Sequence, residues 1–239
     1  MMRCVLILAL CSGAVPVLAQ QPAAAADTAG DSVARAGAYR PRDPGRTRLF
    51  LAATARTLPR GEGYVGDYFV FFPVVGYGVT DRVLLSGGAS LLPGLSVDRQ
   101  LVYLAPKLAL VERPTFGLAV GALYMRLLWS ELVEAWGGVG YVVATFGGED
   151  AALTLGAGWP FASGGGTRDP WALAGVEWRV SRDVKLLAEG WSFPGSSAVP
   201  VVVGVRLLDA RTAVDLGVVR VLSADLRSVV PWVDFSWRW

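Results

Sequence analysis

From Arg46 onward, runs rich in Val, Leu, Ala, Gly and aromatic residues alternate with short polar interruptions. Each run is about as long as a tilted strand needs to cross a bilayer. The pattern predicts strands at Thr47–Arg56, Tyr64–Val79, Val83–Leu92, Leu101–Val111, Thr115–Leu128, Trp136–Phe146, Ala151–Trp159, Trp171–Ser181, Val184–Trp191, Val199–Leu208, Thr212–Val221 and Val229–Trp239. That is twelve strands, with ten to fourteen compatible with the pattern because Tyr64–Val79 and Thr115–Leu128 alternate poorly. Tight connections such as Thr80-Asp81-Arg82, Arg182-Asp183 and Asp209-Ala210-Arg211 alternate with longer ones, including Thr57–Gly63, Pro93–Gln100 and Phe161–Pro170. Alternation of turn and loop is what an up-and-down antiparallel barrel requires, with both chain ends on the side of the tight turns.

Composition points the same way. The chain is 53% hydrophobic but only 18% charged, against about 25% charge in an ordinary soluble domain. Beyond the first 19 residues, its longest charge-free stretch, Ala151–Thr167, holds five glycines and a proline and predicts no spanning helix. A hydrophobic chain without such a helix satisfies its backbone in lipid by closing a sheet on itself. The expected fold class is therefore all-β: a single antiparallel transmembrane β-barrel with short periplasmic turns and longer outer loops.

Parity along the clean strands separates two faces. Val201, Val203, Val205 and Leu207 alternate with Gly204 and Arg206, and the same rule sets Lys107, Glu177, Arg179, Lys185, Glu189, Asp215 and Asp234 opposite apolar neighbours. A charge on the lipid face costs roughly 2–4 kcal/mol near the midplane for Arg or Lys, so these eight charges are expected to line the lumen. Their mixed signs admit two readings: a structural network of ion pairs, or the lining of a weakly selective aqueous passage, with room left by Gly156, Gly158, Gly204 and Gly217. Tryptophan prefers lipid–water interfaces, which predicts an outer girdle of Trp129, Trp136, Trp159, Trp171, Trp191 and Trp232 and an inner one of Trp178, Trp237 and Trp239.

At the C-terminus, Val233-Asp234-Phe235-Ser236-Trp237-Arg238-Trp239 alternates strictly and ends on an aromatic. This closely resembles the last-strand signal of bacterial outer-membrane β-barrel proteins, with Phe235, Trp237 and Trp239 as the signal residues. The resemblance covers about Arg46–Trp239 in architecture. It implies insertion by the barrel-assembly machinery, outer-membrane lipid as the surrounding partner, and a bacterial outer-membrane location.

The remaining features refine this picture. Met1–Arg3, an apolar core at Cys4–Leu10 and Val17-Leu18-Ala19 read as a cleaved secretory signal over residues 1–19; residues 20–45 read as a flexible periplasmic tail and 46–239 as the barrel. Cys11 in Leu8-Ala9-Leu10-Cys11 is a lipidation site only if the bulky Leu10 is tolerated. Histidine is absent, which removes the commonest general base and metal ligand, and Cys4 and Cys11 would leave with the signal. No catalytic residue, metal site or cofactor is expected, and a net charge of +2 gives no basic excess for nucleic acid. Gly164–Arg168 lacks the lysine of a phosphate loop, and Glu131 and Glu134 read first as a solvated loop tip and second as a cation or sugar site. The expected function is a small passive pore or a structural barrel with an ion-paired lumen. An adhesion or receptor barrel, binding a partner through its outer loops, is the alternative.

Overall fold

The computed structural model describes residues 41–128, 136–163, 169–222 and 229–239. Twelve antiparallel strands close on themselves, each pairing with its sequence neighbours and the first with the last. They are β1 (Gly63–Tyr68), β2 (Phe72–Thr80), β3 (Val83–Ala89), β4 (Leu101–Arg113), β5 (Phe116–Leu127), β6 (Trp136–Gly147), β7 (Ala151–Ala162), β8 (Trp171–Arg179), β9 (Val184–Ser192), β10 (Val199–Leu208), β11 (Thr212–Leu222) and β12 (Val229–Arg238). Closure leaves no sheet edge, so the ladder satisfies the strand backbone without water. The outward positions are apolar all round the ring, among them Val75, Leu85, Leu104, Leu155, Val176, Leu186, Val203, Leu216 and Val233.

The tight turns lie at one end of the barrel. At the β2–β3 turn, Thr80 Oγ1 accepts from the amides of Arg82 and Val83, and at the end of β6 Gly147 takes φ 113°, open to a residue without a Cβ. Bulges interrupt β2–β3 pairing between Gly78 and Thr80 and β4–β5 pairing between Ala109 and Val111.

Two of the expected strands differ from the structure, and they offset one another in the count. Tyr64–Val79 is two strands, β1 and β2, joined by a hairpin at Phe69-Val70-Phe71. Sixteen residues exceed one crossing, and the turn carries φ 55° at Phe69 and 66° at Val70, values that sequence pattern does not announce for bulky residues. Thr47–Arg56 is not in the wall. It forms a small hairpin inside the barrel, closed by the Leu49 amide on Ala52 O (2.8 Å), the Thr54 amide on Thr47 O (3.0 Å) and a bridge between Arg48 and Ala53. The wall begins at Gly63 rather than Arg46, and Pro41 and Asp43–Gly45, at the end of the expected tail, are buried. Thr57–Gly63, expected as an outer loop, is the return from this hairpin to β1 at the tight-turn end.

Candidate functional site: a plugged and axially divided lumen

The inward-facing residues divide the lumen along its axis. Near the tight-turn end, cross-strand register sets Arg179 opposite Lys185, Lys185 opposite Arg206, Arg206 opposite Asp215, and Asp215 opposite Asp234. Along this row the wall carries three cations followed by two anions, so within the row only Arg206 and Asp215 pair, while Lys185 also meets Glu177 of β8. The Arg206 guanidinium meets the Asp215 carboxylate in a fork, 2.7 Å on each arm.

The inserted segment supplies the missing partners. Asp43 enters between the cations, accepting from Lys185 Nζ at 2.7 Å and from Arg206 Nη1 at 3.1 Å. Arg48 enters beside the anions, donating to both Asp234 oxygens at 2.6 Å and lying 3.5 Å from Asp215. Arg56 pairs with Glu177, which also accepts from Lys185 at 2.8 Å. Burial disfavours the charged form of Asp43, but Arg206 and then Lys185 outweigh it and hold the carboxyl well below the usual carboxylate range. The wall and the plug are complementary in sign at each of these contacts. Removing either leaves buried unpaired charge, which costs about 3–5 kcal/mol per broken pair.

The hairpin backbone is held as well. Arg206 donates to Leu49 O at 2.8 Å, and Lys107 Nζ donates to Thr47 O at 2.8 Å and Thr54 O at 3.0 Å. At the tip, the amides of Phe50, Leu51 and Ala52 converge on the Glu189 carboxylate at 3.1–3.3 Å. Such a cluster of amides is an anion site, here occupied by a side chain of the wall. The Ala55 amide donates to Thr145 Oγ1, itself 3.0 Å from Thr154 Oγ1.

Of the eight lumen charges expected from parity, Lys107, Glu177, Lys185, Glu189, Arg206, Asp215 and Asp234 are all buried and meet around residues 43–56. Arg179 sits lower, donating to Arg182 O and Pro41 O and pairing with Asp150. Sequence reasoning missed Asp43, Arg48 and Arg56, because it placed the first in a tail and the others in a strand. A signal was present: Arg48 and Arg56 on the ten-residue strand Thr47–Arg56 would put two guanidinium groups on a single face of a segment without an acid.

Beyond the hairpin tip, toward the long-loop end, the lumen turns apolar and aromatic. A cavity of about 710 Å³ opens there, with Leu51 and Arg48 in its floor and Tyr103, Tyr141, Trp171, Trp191 and Trp232 in its walls. This corrects the expected outer girdle: Trp171, Trp191 and Trp232 face inward. Parity places each on the lumen face, next to Leu173, Glu189 and Asp234 two positions away. Trp171 packs on Trp191 with ring centroids 4.9 Å apart, while Trp232 packs between Phe50 and Phe69 at 6.1 and 5.2 Å. The small lumen positions are covered too, Gly158 by the Trp171 indole and Gly217 by the Phe50 ring. Trp136, Trp159, Trp178, Trp237 and Trp239 face outward. Trp129, Glu131, Glu134 and Gly164–Arg168, like the signal segment and Cys11, lie outside the described residues.

No family model matches the chain, and no curated protein matches it. Among solved structures it is similar to a KdgM porin, with TM-score 0.54 and 10% identity over 74% of this chain and 96% of that one. It is also similar to a KdgM porin in complex with disordered oligogalacturonate, with TM-score 0.56 and 9% identity over the same shares of the two chains. The likeness is one of fold: a closed twelve-stranded outer-membrane type of barrel.

Proposed function

We propose that the protein is a porin-like channel of the bacterial outer membrane, with the tight turns on the periplasmic side, held closed by residues 41–62. The observation that carries this reading is the fit of the hairpin into the charged level of the wall, Asp43 between Lys185 and Arg206 and Arg48 beside Asp215 and Asp234. The wall pairs some of its charges across neighbouring strands, Lys185 with Glu177 and Arg206 with Asp215, but Asp234 meets its cation only in Arg48 of a segment that threads in from one end and returns by the same end. A segment held by ion pairs and hydrogen bonds, rather than built into the ladder, can leave without opening the barrel. That arrangement supports a passive transport role.

The test is conductance of the refolded protein in planar bilayers, with heat-modifiable gel migration reporting the folded barrel. The full chain should be closed, and a chain lacking residues 41–57 should give discrete steps. Should that deletion not fold, Asp43→Asn combined with Arg48→Gln keeps the hairpin and weakens its seat, and should give intermittent openings. Steady large conductance of the full chain, or silence of the folded variants, would overturn the reading.

A further inference from the structure

The apolar cavity beyond the hairpin is not uniformly apolar at its inner end. Two polar groups reach its lining there, and they share one row of the wall. Gly121 of β5 is the register partner of Lys107 on β4 and of Tyr141 on β6. Because Gly121 has no side chain, the Tyr141 phenol lies over it, with its hydroxyl close enough that an added Cβ would clash. Lys107 and Tyr141 therefore sit on either side of one glycine, and both border the cavity.

The hydrogen bonds of these two groups set them apart. Arg48, Arg56, Lys185 and Arg206 each meet a carboxylate, whereas Lys107 meets none among the described residues. It donates to two hairpin carbonyls, and an ammonium has a further N–H to give. The Tyr141 hydroxyl makes no hydrogen bond among the described residues. Arg48, the other cation bordering the cavity, is already committed to Asp234 and lies 4.6 Å from the Tyr68 ring centroid.

We infer that the cavity is a binding site for an apolar monocarboxylate, its carboxylate taken by Lys107 and Tyr141 and its hydrocarbon body by the aromatic walls. A cavity of about 710 Å³ falls within the size of sites that enclose a small organic ligand, roughly 300–1,000 Å³. The mostly aromatic and aliphatic walls give a hydrated sugar or ion few hydrogen bonds in return for the water it would lose. A neutral hydrocarbon would fill the walls but leave the third Lys107 donor and the Tyr141 hydroxyl unsatisfied. A carboxylate offers an acceptor to each and meets a lumen cation that forms no salt bridge among the described residues. This inference rests on the channel reading for its biological sense, naming the class of solute that would wait above the closed hairpin, but not for its geometry.

The experiment is isothermal titration of the full-length protein, refolded and held in amphipol, with decanoate and with decanol, each corrected against protein-free amphipol. Decanoate should bind about tenfold or more tighter than decanol, the value of a charge-assisted hydrogen-bond pair. Lys107→Met should bring the acid down to the level of the alcohol. Since Lys107 also holds the hairpin, Tyr141→Phe is the second variant: it touches no hairpin bond and should weaken decanoate severalfold. Equal affinity of acid and alcohol, absence of saturable binding by both, or an acid preference that survives both variants would overturn the inference. The conductance test uses no ligand, so the two readings fail separately. A closed barrel without acid preference sinks this one alone, and an acid-binding barrel that conducts steadily sinks the other.

Discussion

Lys107 and Glu189 grip the same hairpin from β4 and β9, five strands apart around a ring of twelve, one by its carbonyls and the other by its amides. Among the described residues neither forms a salt bridge. Each instead takes the end of the peptide dipole that suits it. The hairpin thus serves as the link between a lumenal cation and a lumenal anion too far round the ring to meet directly.

Removing the anion should loosen the tip. Glu189→Gln retains the shape but replaces one acceptor oxygen with a donor that faces three converging amides. The expected loss is about 1–3 kcal/mol in denaturant unfolding, accompanied by a change in Trp191 emission, since its indole donates to Glu189 at 3.3 Å. An unchanged midpoint would mean that the amides find other acceptors.

Arg206 joins wall to plug, bonding Asp215, Asp43 and two hairpin carbonyls. Arg206→Met leaves two buried carboxylates short of a partner and should lower stability by about 3–5 kcal/mol. Adding Asp215→Leu and Asp43→Asn to it should recover part of that loss, because a pair replaced whole costs less than a pair broken. Equal destabilisation by the single and triple variants would show that the loss is packing and not charge.

Acid should release the plug over a defined range. The folded carboxyl of Asp43 is held below its ordinary value of about 3.8 by Arg206 and Lys185. The unfolded or released form therefore binds the proton more readily. The contribution is fully present above that ordinary value and is lost as pH falls below it toward the folded value. Conductance recorded stepwise from neutral pH downward should stay closed to about pH 5 and show openings below about pH 4. Openings that begin near neutrality would assign the gate to another group.

Tryptophan orientation can be read with brominated lipids, which quench by contact. Single-tryptophan proteins carrying Trp136, Trp159, Trp178 or Trp237 should be quenched strongly in vesicles, and those carrying Trp171, Trp191 or Trp232 weakly. Equal quenching of Trp232 and Trp178 would place the former on the lipid face.

The turn between β1 and β2 holds a β-branched residue in the left-handed region, Val70 at φ 66°. Val70→Gly should stabilise the barrel by about 1 kcal/mol in denaturant unfolding, leaving Phe69 packed on Trp232. A destabilised variant would mean that the exposed Val70 side chain makes contacts worth more than the strain.

Much of the wall was legible from local pattern. Ten of the twelve strands, β3 to β12, lie where alternation and turn chemistry place them, because a barrel strand in lipid must show one apolar face at a period of two whatever surrounds it. The inward position of Arg206 or Lys185 follows from the same rule, acting on nearest neighbours in the chain. What local pattern could not decide was where Thr47–Arg56 goes. Its residues suit a strand, and only the sign order of the wall, Lys185 and Arg206 followed by Asp215 and Asp234, makes the lumen a better place for Asp43 and Arg48 than the ladder. That order exists only after strands far apart in sequence have paired. The same holds for Trp171, Trp191 and Trp232. An indole at a strand end satisfies the girdle pattern on either face, and its direction depends on whether the closed lumen leaves an apolar space to fill. Sequence determined that the chain closes into a barrel with charges inside. Tertiary structure decided what they are paired with, since ion pairs and cavities belong to the closed ring and not to any one strand.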